Sequence, residues 1–312
     1  MKWFEKIYTF LILGAVTAGL ILSQIDGAGN LGEALILPLL ALMIYLTFLQ
    51  IPLKNVKASF KNKVFSTSAV LINFVWTPVF AWLLSIIFFP DQPALAIGLI
   101  MLLVTPCTDW YLIFTGVAKG NIALAASILP LNLLLQILLL PVYLFIFFGA
   151  GETVEGVYLA EGVLWVLIIP LILASLTKKL VKDRSILESD RLENLPVLFL
   201  ILAITAMFAA QGNMLLENTT VFLQILPPLA IFFIVNFLIS QKTGQLCRLP
   251  SKDRVSLTMT TLARNSPLAL AIAVAAFPNE PLIALILVIG PLIELPVLAV
   301  TAKVLVKINH KS

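Results

Sequence analysis

Apolar residues along this chain come in long runs, and the charged residues gather in the short stretches between them. About 20 apolar residues in a helix cross the hydrocarbon core of a bilayer. On that length the runs predict ten spans, at roughly 8–23, 34–52, 65–89, 94–118, 121–148, 160–177, 195–210, 221–240, 255–277 and 281–306. The first run follows a basic start, as a signal peptide does. It counts as a span because the internal repeat described below requires it. The expected architecture is an all-α membrane protein.

Composition agrees with lipid rather than water as the solvent. Hydrophobic residues make up 61% of the 312 and charged residues 12%, against about a quarter charged in soluble domains. The net charge of +4 does not imply nucleic acid. Two cysteines, Cys107 and Cys247, form neither a disulfide framework nor a metal cluster, and the one histidine, His310, lies in the last three residues. No cofactor is expected. A Gly-x4-Gly-Lys-Ser/Thr phosphate loop is absent. Lys242, Thr243 and Gly244 resemble part of the phosphorylation motif of ion-pumping ATPases, but Gln241 precedes them and cannot be phosphorylated as an aspartate is. The expectation is a transporter driven by gradients, and not an enzyme.

Charge then orients the spans. Lys54, Lys57, Lys61 and Lys63 fall between spans 2 and 3. Lys178, Lys179, Lys182, Arg184 and Arg191 fall between spans 6 and 7, and Lys242, Arg248, Lys252 and Arg254 between spans 8 and 9. Both termini and the Lys119 corner lie on the same side. The opposite connections carry Asp26, Glu33, Asp91, Glu152, Glu155, Glu161, Glu217 and Glu280 without Lys or Arg. Cytoplasmic loops collect Lys and Arg, so both termini are expected in the cytoplasm, with the chain in the cytoplasmic (inner) membrane.

The chain also repeats itself. Shifted by 161 residues, Pro106 falls on Pro267 and Pro130 on Pro291, and Ile122, Ala123 and Leu124 fall on Ile283, Ala284 and Leu285. The repeats, about 1–150 and 151–312, form a single transporter domain. An odd count of five spans in each inverts one half relative to the other, the usual architecture of secondary transporters. Pro106 and Pro267 are expected to break spans 4 and 9, since proline removes a helix hydrogen bond and clashes with the preceding turn. Paired breaks mark substrate sites. Polar residues collect there: Thr105, Cys107, Thr108 and Asp109 at one, Arg264, Asn265 and Ser266 at the other. Asp109, Arg264 and Glu294 are the ionisable residues left inside the spans, and such residues are functional candidates by default.

These clusters carry a resemblance. The stretch TPCTDWYLIFTGVAKGNIALAASILPLNLLLQ from Thr105, the helix RNSPLALAIAVAAF from Arg264 and the segment GPLIELPV from Gly290 are similar to the bile acid:sodium symporter superfamily, and within it to the arsenite efflux permeases. The resemblance implies a panel domain and a core domain, with broken helices 4 and 9 crossing in the core and the core moving against the panel. The chain departs from the pattern in places. Thr260 stands where the symporters carry a sodium-binding glutamate, and Arg264 replaces the glutamine of their Gln-Asn-Ser motif. Asp109 stands where the permeases have a short apolar residue, and Ser266 to Ala269 where they have Asn-Asn-Phe-Glu.

The candidate substrate site is therefore Cys107, Thr108, Asp109, Arg264, Asn265 and Ser266. A thiolate at Cys107 suits a soft element such as arsenic(III), while Thr108, Asn265 and Ser266 offer neutral ligands. Asp109 and Arg264 are placed to pair, either as a gate or as a structural lock. Glu294, between Pro291 and Pro296, is the candidate proton carrier, with Asp109 as a second coupling residue; alternatively Glu294 bonds a kinked backbone. The first reading is proton-coupled efflux of arsenite or a related metalloid. The second is a sodium- or proton-coupled symporter of an organic anion held by Arg264. The third, a membrane sensor or scaffold, lacks a loop of 20 residues or more to hold a signalling domain. Partners are a small or inorganic solute, a coupling ion and the bilayer.

Overall fold

The computed structural model describes residues 2–50, 62–108, 110–148, 164, 168–181, 190–217 and 219–309. Asp109, the loop lysines Lys54, Lys57 and Lys61, the acidic Glu152, Glu155 and Glu161, Lys182, Arg184 and His310 lie outside them. So does much of the sixth apolar run.

The described residues are helical and form no strand. In chain order the helices are α1 (Lys2–Leu22), α2 (Ala28–Gln50), α3 (Lys63–Phe88), α4 (Pro93–Val104), α5 (Trp110–Val117) and α6 (Ile122–Phe148). They continue with α7 (Ile169–Leu180), α8 (Asp190–Glu217), α9 (Thr219–Leu246), α10 (Ser251–Leu262), α11 (Ser266–Ala276) and α12 (Pro281–Asn309). Five of them, α2, α3, α6, α9 and α12, are long and apolar enough to cross a membrane unaided. The runs expected as spans 4 and 9 are each two short helices end to end, α4 with α5 and α10 with α11. The protein is a multi-pass membrane protein.

Two sets of helices emerge from the packing. In the first, α8 packs along α1 and α2, and α7 packs on α2. Small residues bring these helices together, as expected where lipid removes any hydrophobic drive between helices. A Cβ on Gly19 would stand 2.4 Å from Phe208 Cβ, and one on Gly32 would stand 2.5 Å from the Ala206 carbonyl oxygen. In the second set, α4 packs against α3 and α12, and α10 packs against α9 and α5.

Within α3 the residues Ile72–Trp76 form a π-helical turn. Such wide turns leave backbone groups to be satisfied from outside the helix and recur at functional sites. Here the Tyr143 hydroxyl of α6 donates to the Phe74 carbonyl at 2.6 Å, and Asn73 of the same turn reaches the end of α10, its Nδ2 donating to the Thr260 carbonyl.

Candidate functional site: the crossing of two interrupted helices

The C-terminal ends of α4 and α10 meet inside the second helix set. After Val104 the chain turns extended at Thr105, and after Leu262 it turns extended at Ala263. The two extended segments pair as an antiparallel bridge between Pro106 and Arg264. Cys107 N–H donates to the Ala263 carbonyl at 3.0 Å, and Asn265 N–H donates to the Thr105 carbonyl at 2.7 Å. The two bonds are related by one shift, because Cys107 to Asn265 and Thr105 to Ala263 are both 158 positions apart. Helices α4 and α10 share that shift and are 12 residues each.

This register accounts for the proline. In an antiparallel ladder, residues alternate between positions that exchange hydrogen bonds and positions that do not. Pro106 occupies a non-bonding position, so its missing N–H is not needed. Opposite it, the Arg264 N–H is released from the ladder, and Glu294 Oε1 accepts it at 2.8 Å. Pro267 plays another part. The second helix ends before it, at Leu262, and Pro267 sits in the first turn of α11, where a proline N–H has no helical partner anyway. The partner of Pro106 in space is Arg264, not Pro267.

Arg264 is 2% exposed. Its Nη1 donates to the Leu103 carbonyl at 2.8 Å and its Nε to the Leu262 carbonyl at 3.2 Å. Its Nη2 donates to Asn73 Oδ1 at 3.0 Å and to the Thr261 carbonyl. The guanidinium also lies 5.3 Å from the Phe232 ring centre. The last carbonyls of a helix have no intrahelical donor, and the helix dipole makes that end negative. Arg264 therefore serves as the cation between two converging C-terminal ends. Side chains also reach other carbonyls of these ends: Thr105 Oγ1 donates to Met101 O at 3.0 Å, and Asn73 Nδ2 donates to Thr260 O at 3.2 Å.

The N-terminal ends of α5 and α11 begin at the same crossing. Cys107 and Thr108 are buried just before α5. Asn265 caps α11, its Oδ1 accepting the Leu268 N–H at 3.3 Å. Ser266 is buried, and its hydroxyl has no hydrogen-bond partner among the described residues. Helix α12 closes the site. A Cβ on Gly290 would come 2.6 Å from Leu102 Cδ1 and 2.9 Å from Ser266 Oγ. One helical turn on, Glu294 lies on the same face, 3% exposed.

The structure thus brings together Pro106, Cys107, Thr108, Arg264, Asn265, Ser266 and Glu294. Asp109 lies outside the described residues. The guanidinium contacts described are neutral oxygens and a ring. Sequence reading missed Asn73, Asn132, Gln136, Asn236 and Phe232. Asn132 Nδ2 donates to Thr260 Oγ1 at 3.3 Å, and the Gln136 amide, one turn further along α6, is buried with both polar atoms unpartnered among the described residues. The available signal was four amides in apolar runs, where polar side chains are rare.

Paired helix interruptions that meet inside an apolar bundle, lined by buried hydroxyls and a carboxyl, define a secondary transporter of the bilayer. The chain belongs to the Sodium Bile acid symporter family, whose profile matches residues 37–218, more than half of it. Membership implies a solute and a coupling ion. The chain is similar to the arsenical-resistance protein Acr3 of Corynebacterium glutamicum, with 26% identity over 92% of this chain and 82% of that protein. It is similar to the protein of that name from Alkaliphilus metalliredigens at 22%, over 87% of this chain and 81% of that one. It is also 24% identical to YbaS of Bacillus subtilis, an uncharacterized protein, over 72% of this chain and 74% of that one.

Proposed function

We propose that this chain exports arsenite or a related metalloid across the cytoplasmic membrane in exchange for protons. It does so as ten spans in two inverted five-helix repeats, with both termini in the cytoplasm. The observation that carries the coupling is the occupancy of the helix-end carbonyls. Broken-helix transporters hold coupling cations with unwound carbonyls and half-helix C-terminal ends, and here the Arg264 guanidinium already fills that place. A mobile sodium ion would compete with a tethered cation. Among the described residues the carboxyl at the crossing is that of Glu294, which accepts the Arg264 N–H and so ties α12 to the bridge. Protonation removes the negative charge beside the guanidinium and weakens that bond, which links proton arrival to movement of the crossing.

The cargo rests on Cys107 and on the names of the relatives. A single thiol with Thr108, Asn265 and Ser266 beside it, the last with no hydroxyl partner among the described residues, holds a soft, hydroxylated solute loosely enough to release it. The local shift of 158 residues supports the inverted repeat. The two helix sets, α1, α2, α7 and α8 against the rest, support a panel and a core moving against each other. The engagement of Arg264 with carbonyls weighs against an organic anion as cargo, since a carboxylate would have to displace them.

The test is resistance. Expressed in an arsenite-sensitive host, the chain should confer resistance that Cys107→Ser eliminates and Cys247→Ser leaves intact, with both variants present in the membrane at wild-type level. A wild-type chain that confers none would exclude arsenite as the main substrate.

A further inference from the structure

A second site lies away from the crossing. Between the start of α3 and the end of α9 runs an open groove of about 730 Å³, within the size range of small-molecule sites. Its polarity is graded. Lys63, Thr67 and Ser68 from the first turns of α3, Thr243 from the last turn of α9 and Cys247 just beyond it line one end. These two helix ends are held together, Ser68 Oγ lying 3.8 Å from Cys247 Sγ. From there the lining becomes apolar through Leu71, Val75, Trp76 and Val79. Lys63, Thr67, Leu71, Val75 and Val79 follow one another at four-residue spacing and are all exposed.

At 1.5 Å per residue, the groove from Lys63 to Val79 is about 24 Å long. One bilayer leaflet, headgroup included, is about 20 to 22 Å thick. The groove thus has the length of one lipid, with a cation and hydroxyls where a phosphate lies and branched aliphatic side chains where an acyl chain lies. Lys242, next to Thr243, is exposed as well and adds positive charge at that end.

We propose that this groove binds one anionic glycerophospholipid, with its phosphate against Lys63, Thr67 and Thr243 and an acyl chain along Leu71, Val75 and Val79. The leaflet is the cytoplasmic one, on the orientation proposed above; the site itself is independent of cargo and coupling. The groove's walls bear on the crossing. Helix α3 carries Asn73 to the Thr260 carbonyl, and α9 carries Asn236 to the Thr261 carbonyl at 3.4 Å. A lipid seated here braces the outer face of the two helices that support the interrupted ones.

Trp76 lines the groove and reports on it. The full-length chain is reconstituted in phosphatidylcholine vesicles containing brominated phosphatidylglycerol or brominated phosphatidylcholine. The Trp76 contribution is the quenching lost in Trp76→Phe. Brominated phosphatidylglycerol should quench that contribution at about fivefold lower mole fraction, the effect of one lysine at an anionic surface. Lys63→Gln should bring the ratio to about one. Thr243→Phe, which fills the polar end and keeps the charge, should also abolish the preference. Equal quenching by both lipids in the wild type would overturn the proposal. So would a preference that survives both substitutions, which would mark ordinary boundary lipid. Native mass spectrometry of the wild type gives a second readout: one retained phosphatidylglycerol is expected, and none would count against the site.

Discussion

Replacing Arg264 by methionine keeps most of the side-chain volume and removes every donor. Four acceptors lose their partner: the carbonyls of Leu103, Thr261 and Leu262, and Asn73 Oδ1. Each buried group left unsatisfied costs about 1 to 3 kcal/mol, or about 4 to 12 kcal/mol for four if they were independent. They are neighbours, so the terms do not add in full. Asn236 Nδ2 remains within 3.4 Å of the Thr261 carbonyl, and water can enter a polar crossing. The low end, about 4 kcal/mol, is the expected loss. Two dipole ends would then also face each other with no cation between them. Arg264→Lys restores the charge with a single ammonium that cannot span acceptors from two helices, and should recover about half. The assay is equilibrium unfolding of the purified protein in detergent with wild type, lysine and methionine variants side by side. A methionine variant within about 1 kcal/mol of wild type would refute the assignment of Arg264 as the helix-end cation. If that variant also lost affinity for an organic anion, Arg264 would be a ligand-binding residue instead.

Glu294→Gln keeps an oxygen for the Arg264 N–H and removes the titratable proton, so proteoliposomes should lose accumulation driven by a proton gradient while keeping solute exchange. Strict dependence on a sodium gradient in the wild type would overturn proton coupling. Single cysteines introduced near Glu155 and near Arg184 should label from outside and from inside respectively; labelling from the same side would refute the ten-span inverted repeat. Gly290→Val should reduce the folded yield and cost about 1 to 3 kcal/mol by overpacking, because the added carbons meet Leu102 and Ser266 Oγ at under 3 Å. A neutral effect would show that α12 can move away from the crossing.

Helix positions were legible because lipid sets a length that side chains must match. The runs at 65–89 and 121–148 correspond to Lys63–Phe88 and Ile122–Phe148. Proline was a poorer guide to helix ends. Pro38, Pro130, Pro141, Pro196, Pro227, Pro228, Pro291 and Pro296 all lie inside continuous helices. Pro106 sits at an interruption, where the paired strand makes its missing N–H harmless, while Pro93, Pro267 and Pro281 lie in the first turns of their helices. The shift of 161 residues aligned two prolines with different roles, whereas the crossing obeys a shift of 158. Three residues are enough to turn a break into the first turn of the next helix.

By itself, the sequence determined the class of protein, the apolar helices and the two polar clusters, since hydrophobicity, charge bias and intramembrane polar residues are properties of the chain read in order. Only the tertiary structure decided what Arg264 does. Its guanidinium joins the carbonyl ends of α4 and α10, at Leu103, 161 residues away in the chain, and at Thr261 and Leu262, within 3 residues of it. Unsatisfied carbonyls exist only where helices stop. Which donor reaches them depends on how two helix ends meet in space.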